Sequence, residues 1–241
     1  MFGPDTAQDF IVGRTGNGEQ KRRFGWWTLN ALRATAWDVD QSTPDMLHME
    51  AEGDGIDWSA GIHDGPFGFK RITGDFDVYS LVEPIADRIG FMFGLCCQED
   101  ADLFDSWVFA GWTLKNDEQR ALRFASAEDS VAGAKVDLTG VTDSILRLTR
   151  AGDVFTAHYS ADAVSWVQLA QRTVVLDAAV RLGFLLAAPG IEHSAIGGIA
   201  HYLQFRSGGL STCDRTLDGP LGCRVHDNAH RIRMMPGIPR R

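Results

Sequence analysis

The chain has 241 residues, a length that suits one large β-sandwich or two small domains. Its net charge of −9 argues against a nucleic-acid-binding surface, because phosphate contacts need clustered Lys and Arg. No apolar run reaches the roughly 18 residues of a membrane span, and the first residues do not have the pattern of a signal peptide. We therefore expect synthesis in the cytoplasm, no membrane span and no nucleic-acid partner.

Residues 1–45 do not have the pattern of an ordinary domain. A polar, glycine-punctuated segment over 13–23 is followed by an aromatic cluster that includes Trp26 and Trp27. Aromatic rings are costly to leave in water, so this cluster is expected to be covered. We predict an N-terminal arm whose rings either pack on the outside of the adjoining domain or dock on a partner subunit.

Short segments with alternating apolar side chains follow one another from residue 46 onward. The connections between them are short and rich in Gly, Asp, Asn and Pro. We predict strands over 46–51, 67–72, 75–83, 88–98, 106–114, 121–127, 180–188 and 198–207. Many short strands at intervals of about ten residues are typical of a β-sandwich or jelly roll. The sequence therefore predicts an all-β domain over 46–207.

The two-residue period of a strand assigns side chains to faces in two of these segments. In the segment 75–83, one face carries Phe76, Val78, Ser80 and Val82. In the segment 88–98, one face carries Ile89, Phe91, Phe93 and Leu95.

Residues 143–171 have the clearest strand pattern in the chain. Apolar Leu146 and Leu148 alternate with polar neighbours, and Gly152 can take the positive φ of the turn that follows. A second turn over 160–163 leads to a third strand, whose Trp166 is expected in the core. This segment predicts three consecutive antiparallel strands.

The four cysteines are too few for a disulfide scaffold. Cys96 and Cys97 lie inside an apolar strand and are expected to be buried thiols. The alternatives for the C-terminal pair are a disulfide outside the cell, a weakly matching zinc site, or a solvated tail without metal. The residues concerned are Cys213, Cys223, His226 and His230. We expect the solvated tail and no metal or cofactor.

Several short motifs occur in the order seen in one bacterial group. They are GDGIDW at 53–58, GDFDV at 74–78, SWVFAG at 106–111, LRLTRAGD at 146–153, HYSAD at 158–162, SW at 165–166 and VRLGF at 180–184. In this order the chain from Met46 to Ser207 resembles the "regulation of enolase" domains of the concanavalin A-like lectin/glucanase superfamily. The resemblance implies a two-sheet jelly roll with a concave face, which binds glycans in many relatives.

The chain departs from that family at two places. Family members commonly have a Lys and a Glu on the inner sheet where this chain has Phe109 and Thr113. Their usual Asp-Gly turn is Asp162-Ala163 here, so we expect this loop to use a different turn. The loss of a charged pair argues against an inherited polar site.

Catalytic motifs are missing from the sequence. Jelly-roll glucanases carry a Glu-x-Asp-x-x-Glu strand that places three acids on one face, and this chain has no such run. It also lacks a G-x-S-x-G elbow, an H-E-x-x-H helix and a phosphate-binding glycine loop. We therefore expect a protein that is not an enzyme, and a glycoside hydrolase with an unfamiliar carboxylate pair is the alternative.

Tryptophans are the candidates for glycan binding, because flat aromatic rings stack on sugar faces. Trp107 and Trp112 are five positions apart on one strand, which sends them to opposite faces, with one of them in the core. We expect Trp58 and one of this pair to line a shallow glycan site. The alternative is that all three only stabilise the sandwich.

The C-terminal segment 208–241 is a basic tail on an acidic body. Between Ser207 and Arg241 the net charge is +3, which leaves −12 for the rest of the chain. Four arginines suit bidentate docking on the carboxylates of other subunits, namely Arg231, Arg233, Arg240 and Arg241. We predict a binding or structural module of an assembly such as a phage or phage-like particle, with cell-surface glycan contact. The rival is a free bacterial carbohydrate-binding protein.

Overall fold

The computed structural model describes residues 65–100, 106–129, 131–142, 145–188 and 196–205. It also describes the strand segments 13–14, 20–24, 27–30, 34–39, 46–51, 58–59 and 62–63. All regular structure in these ranges is extended, in nineteen strands and no helix.

The strands are short and follow one another closely along the chain. The first nine are β1 Gly13–Arg14, β2 Gln20–Phe24, β3 Trp27–Asn30, β4 Ala34–Val39, β5 Met46–Ala51, β6 Trp58–Ser59, β7 Ile62–His63, β8 Phe67–Thr73 and β9 Phe76–Ala86. The others are β10 Met92–Glu99, β11 Trp107–Leu114, β12 Arg120–Glu128, β13 Val131–Ala132, β14 Val136–Thr139, β15 Ile145–Ala151, β16 Val154–Ser160, β17 Val167–Thr173, β18 Ala179–Ala187 and β19 Ile196–Phe205.

Two antiparallel sheets form the fold. The ten-stranded sheet has the order β1-β2-β3-β8-β18-β10-β11-β12-β13, with β14 also paired to β12. The seven-stranded sheet has the order β17-β16-β15-β9-β19-β5-β4, and β6 and β7 form a separate pair. The predicted all-β sandwich is therefore confirmed.

The main core lies between the two sheets. Its side chains come from alternate positions of strands in both sheets, for example Val78 and Leu148 from the seven-stranded sheet and Leu95 and Phe124 from the ten-stranded sheet. On β9 the buried positions are Phe76, Val78, Ser80 and Val82, as the alternation predicts. The predicted three-strand segment is also confirmed, because β15, β16 and β17 pair in succession.

Both sheets include strands that precede residue 46. β3 pairs with β8 in the ten-stranded sheet, and β4 pairs with β5 in the seven-stranded sheet. The sequences of β2 and β4, QKRRF and ATAWDV, have no clean apolar alternation. Pairing with an existing sheet edge supplies backbone hydrogen bonds without that pattern, so alternation could not reveal these strands.

The segment 88–98 is only partly a strand. A turn precedes β10, in which the Phe91 N–H donates to the Arg88 carbonyl at 2.8 Å. Phe91, Phe93 and Leu95 share the core face as predicted. Ile89 lies in the turn and is exposed, so its assignment to the same face is wrong.

Trp166 is not a core residue, in contrast to the prediction. Its ring lies on the face of the seven-stranded sheet that points away from the core, 5.8 Å from the Tyr79 ring and 5.5 Å from the Arg147 guanidinium. Tyr79 and Arg147 alternate with the core residues Val78 and Leu148, which explains why their neighbour is excluded from the core.

The turn over 160–163 keeps a conformation that usually needs glycine. Ala163 has φ of +58°, in the left-handed region. A glycine at this position would take the same conformation without strain. That this loop uses a turn other than the family's Asp-Gly turn stays a prediction.

Candidate functional site

The ten-stranded sheet has a second buried face, which points away from the seven-stranded sheet. We call it the outer face. Its apolar side chains are Phe67, Phe69, Met92, Cys96, Trp107, Phe109, Ala125, Ala127, Leu185 and Ala187. On β10 and β11 every residue except the last is buried, because the core and the outer face receive alternate side chains. A strand buried on both faces has a continuous apolar run.

Four side chains with polar atoms lie side by side across one end of the outer face. Trp107 on β11 is opposite Gln98 on β10, Gln98 is opposite Arg181 on β18, and Arg181 is opposite Arg71 on β8. Neighbouring strands are about 4.8 Å apart, so adjacent members can contact one ligand. We call Trp107, Gln98, Arg181 and Arg71 the polar row.

Asp100 joins the two arginines of the polar row. Its Oδ1 accepts hydrogen bonds from Nε of Arg71 and Nε of Arg181, both at 2.8 Å. The Arg181 guanidinium also lies 5.3 Å from the Phe69 ring centre. The two described ion pairs of this end of the face therefore share one carboxylate.

Two atoms of the polar row are buried without a hydrogen-bond partner. They are Oε1 of Gln98 and Nε1 of Trp107, in side chains that are 1% and 4% exposed. An unsatisfied buried polar group costs roughly 1–3 kcal/mol, so native structures rarely keep one without a reason. The indole N–H is a donor and the amide oxygen is an acceptor, and a hydroxyl group can satisfy both.

Solvent reaches the polar row at one end. The Arg71 side chain is 42% exposed, whereas the Arg181 side chain is 6% exposed. Gln98 and Trp107, farther along the row, are 1% and 4% exposed. Arg71 is therefore the member of the row that a ligand in solvent can contact directly.

Trp112 does not belong to this site. It lies in the core between the sheets, and its Nε1–H donates to the Val82 carbonyl at 2.8 Å. This position corrects the prediction that Trp112 binds glycan. Its ring is buried and cannot stack on a sugar, and its N–H already has an acceptor. Trp107 lies on the opposite face, so the predicted separation of Trp107 and Trp112 is confirmed. The Trp107 ring is itself buried, and its contribution to the site is its N–H.

The other predicted site residues do not add to this geometry. Trp58 begins the β6–β7 pair and Trp27 begins β3, but their side chains are outside the described part of the structure. The remaining predicted docking residues, Trp26, Arg231, Arg233, Arg240 and Arg241, lie outside the described residues, as do Cys213, Cys223, His226 and His230. Their roles stay predictions.

Phe109 and Thr113 lie on the outer face and are fully buried. A methyl group added at Gly111 would meet Cζ of Phe109 at 2.4 Å, so the Phe109 ring packs directly on the Gly111 backbone. The outer face therefore has no charge at these two positions, where the family commonly has a charged pair. Thr113 Oγ1 is also buried without a hydrogen-bond partner.

Four residues of this end of the face were not predicted from the sequence, namely Gln98, Arg181, Arg71 and Asp100. Gln98 ends the apolar run MFGLCCQ of β10, and Arg181 interrupts the apolar β18. A polar residue inside an otherwise buried strand is the one sequence feature that could have indicated them, because such residues need a partner. Their proximity depends on strand order, which the sequence does not show.

Within the described ranges, no three His, Cys, Asp or Glu side chains are grouped so that they could hold a metal ion. The same part of the chain contains no helix long and apolar enough to cross a membrane.

Comparison with known proteins identifies the fold. No family model matches the sequence, and no curated protein matches it. Among solved structures, a functionally unknown protein from Saccharomyces cerevisiae is similar with a TM-score of 0.63 at 13% identity, over 75% of this chain and 96% of that one. A carbohydrate-binding module, CBM66 from Bacillus subtilis, gives a TM-score of 0.50 at 12% identity, over 76% and 96% of the two chains.

Larger glycoside hydrolases contain a similar domain. GH43B of a Bacteroides ovatus xyloglucan PUL matches with a TM-score of 0.58 at 16% identity, over 78% of this chain but 38% of that one. The chain thus spans well under half of this hydrolase. At such identities the likeness shows the fold alone, which is an antiparallel two-sheet β-sandwich.

Proposed function

We propose that the chain is a non-catalytic carbohydrate-binding domain whose ligand contacts the polar row. The observation on which the proposal rests is the pair of unsatisfied buried atoms, Gln98 Oε1 and Trp107 Nε1, on one face of the sandwich. Sugar hydroxyls both donate and accept hydrogen bonds, so a glycan that displaces the cover over these two atoms can satisfy them together. The fold shared with a protein described as a carbohydrate-binding module adds support.

The absence of catalysis is part of the proposal. Glycosidases need two carboxylates that flank the scissile bond, about 5 Å apart in retaining enzymes. The described hydrogen bonds of the polar row involve one carboxylate, that of Asp100, which pairs with two arginines. Hydrolysis of any member of a polysaccharide panel by the purified protein would favour the alternative, a glycoside hydrolase.

A pair of substitutions in the polar row tests the binding site. Gln98→Met keeps the bulk of the side chain and removes the unsatisfied oxygen, whereas Trp107→Phe removes the indole N–H together with part of a buried ring. We expect Gln98→Met to be at least as stable as the parent and Trp107→Phe to be less stable but folded, and both to bind glycan more weakly on an array and by calorimetry. The control is Gln168→Met on the exposed edge strand β17, which should bind normally.

The outcomes of this test are distinct. Weaker binding in both folded variants, with an unchanged control, supports the site. Unchanged binding in all three places the ligand elsewhere. An array on which the parent protein binds nothing contradicts the proposed function.

A role in a phage or phage-like particle is the finer form of the proposal. It rests on the sequence, in which a basic tail over 208–241 follows an acidic body. We expect removal of the tail to leave the sandwich folded and to abolish association with other subunits, measured by light scattering. A truncated protein that cannot fold would contradict the domain boundary, and unchanged association would contradict the docking role.

A further inference from the structure

We infer that two copies of the chain pair along the free edge of β17 and form a dimer with one continuous sheet. β17 is the last strand of the seven-stranded sheet, and within the described residues no strand pairs with its other side. Such an edge presents a row of backbone N–H and C=O groups that can pair with another strand. This contact is separate from the carbohydrate site proposed above.

The hydrogen-bond pattern shows which residues of β17 direct their backbone groups outward. The Val174 N–H, next to Thr173, donates to the Asp153 carbonyl at 2.9 Å. Backbone groups of an antiparallel strand point alternately to one neighbouring strand and to the other. Thr173 and Gln171 therefore direct their N–H and C=O groups away from β16.

The alternation continues past the end of β17. Val175 is 58% exposed, whereas its neighbours Val174 and Leu176 are buried in the core. Covering an apolar side chain at an open edge is favourable. A bulge precedes Ala170, and from there the pairing with β16 is regular. We call residues 170–175 the edge segment.

The β13 edge of the ten-stranded sheet is protected in a way that the edge segment is not. There the chain is interrupted between β13 and β14, and the Gly133 N–H in the interruption donates to the Ser126 carbonyl at 2.8 Å. Lys135 and Asp137 add charge to this edge. Breaks and charges of this kind hinder pairing with a further strand. The edge segment has no proline, and its one charged residue is Arg172.

The edge segment is complementary to a second copy of itself. If Thr173 is opposite the same residue of the second copy, Gln171 of each copy is opposite Val175 of the other. Residues whose backbone groups point outward then meet in hydrogen-bonding pairs. Arg172 is opposite Val174, so no like charges face each other. Threonine pairs across antiparallel strands are favourable, and Gln171 covers part of the exposed Val175 side chain.

The symmetry of this contact brings both polar rows to one side of the dimer. Two identical antiparallel strands are related by a two-fold axis perpendicular to their common sheet. Both ten-stranded sheets therefore lie on the same side of the continuous sheet, and their outer faces point in the same direction. Two sites on one side can bind one polymer or surface together, which increases the apparent affinity. This consequence alone rests on the proposed function.

The oligomeric state of the full chain tests the pairing. We expect a dimer at about 100 μM by sedimentation velocity, and Val175→Lys should weaken it at least about tenfold, because a charge at an edge hinders strand pairing. The matched control is Val131→Lys, since Val131 is 70% exposed on β13 of the other sheet. The control protein should dimerise as the parent does.

Two substitutions at Thr173 test the register. Thr173→Pro removes an N–H that points to the second copy and not to β16, so we expect a folded monomer with the circular dichroism of the parent. Thr173→Cys should link two copies on oxidation in a Cys213→Ser/Cys223→Ser background, because opposite Cα atoms about 5.5 Å apart are within disulfide range. Thr139→Cys on β14 should not link them.

The outcomes decide the inference without a glycan, so they are independent of the proposed function. Loss of the dimer in Val175→Lys but not in Val131→Lys, together with linkage through Thr173→Cys, supports the pairing. A parent protein that is monomeric at about 100 μM overturns it. A dimer that survives Val175→Lys, or that forms no Thr173→Cys linkage, is held by another surface and also overturns it.

Discussion

The carboxylate of Asp162 holds the turn in which Ala163 adopts a left-handed backbone. Asp162 Oδ1 accepts hydrogen bonds from the N–H of Val164 at 2.8 Å and of Ser165 at 2.7 Å, and from the Ser160 hydroxyl at 2.9 Å. Three donors on one oxygen fix the turn, and Ala163 between them has φ of +58°. The side-chain hydrogen bonds thus maintain a backbone conformation that alanine disfavours.

Replacement of Ala163 by glycine should stabilise the protein. Glycine removes the roughly 1–2 kcal/mol of left-handed strain but adds about 0.4–1 kcal/mol of unfolded-state entropy. We expect a net gain of about 0.5–1 kcal/mol in the free energy of unfolding, measured by urea denaturation. Ala161→Gly is the control and should destabilise, because Ala161 has no positive φ. A destabilised Ala163→Gly protein would contradict the strain.

The Asp162 charge should make stability depend on pH in the acid range. Hydrogen bonds from Ser165, Val164 and Ser160 lower the pKa of Asp162 to about 2. The unfolded value is about 3.9, so the charged turn adds stability above pH ~4 and loses it as the pH falls toward ~2. Asp162→Asn keeps an acceptor oxygen without the charge. The gap between the urea midpoints of parent and variant should therefore be constant above pH ~5 and close by pH ~2. A gap that does not change with pH would exclude this charge effect.

Arg150 forms hydrogen bonds to the loop that precedes β18. Its guanidinium donates to the carbonyls of Gly152 at 2.8 Å, Asp177 at 2.8 Å and Leu176 at 2.7 Å, and it is buried. Arg150→Met removes three charge-assisted hydrogen bonds and leaves carbonyls unsatisfied. We expect a loss of about 3 kcal/mol in the free energy of unfolding.

Arg120→Met is the matched control for the Arg150 substitution. The Arg120 side chain is half-exposed, and its ion pair with Asp87 is of the surface type. Such pairs contribute about 0–1 kcal/mol, so the control should be nearly as stable as the parent. Equal losses in the two variants would show that the Arg150 contacts add nothing beyond an ordinary surface charge.

The two buried thiols should be unreactive in the folded protein. Burial raises the pKa of Cys96 well above its ordinary value and that of Cys97 to about 12, although Arg150 opposes the shift at Cys97. The thiolate is the reactive form, so a Cys213→Ser/Cys223→Ser protein should react with Ellman's reagent only after unfolding. Rapid reaction of the folded protein would contradict this burial.

The raised thiol pKa values also predict alkaline sensitivity. In the unfolded chain the cysteines titrate near pH 8.5, whereas in the folded protein they stay protonated to higher pH. Their contribution to stability is complete below pH ~8.5 and decreases as the pH rises toward ~12. Cys97→Ala should be less sensitive to alkali than the parent, measured by the urea midpoint between pH 8 and 10. An equal loss in both proteins would assign the sensitivity to other groups.

The local parts of the fold were predictable from the sequence. The alternation around Leu148 predicted three strands. The five-residue spacing of Trp107 and Trp112 predicted that they lie on opposite faces, because side chains of a strand alternate with a period of two. The predicted face of Ile89 was wrong because a turn from Arg88 to Phe91 interrupts the alternation. Alternation alone does not show where a strand begins.

The candidate site could not be predicted in the same way. Arg71, Gln98, Trp107 and Arg181 are distributed over more than a hundred residues of sequence and become neighbours only through the order β8-β18-β10-β11. That order results from the packing of the whole domain, and no local period encodes it. The prediction therefore chose tryptophans by residue type, of which Trp107 lies in the site and Trp112 in the core.

Strands such as β10 and β11, which are covered on both sides, also restrict how this protein can change. In a sheet with one solvent-exposed face, the residue type at every second position can vary freely, so new binding surfaces arise by point substitution. Here a charged residue at nearly any position of these two strands would meet packed neighbours. New charged side chains are therefore accommodated most easily at the margins of the sheet, where the Arg71 side chain is 42% exposed.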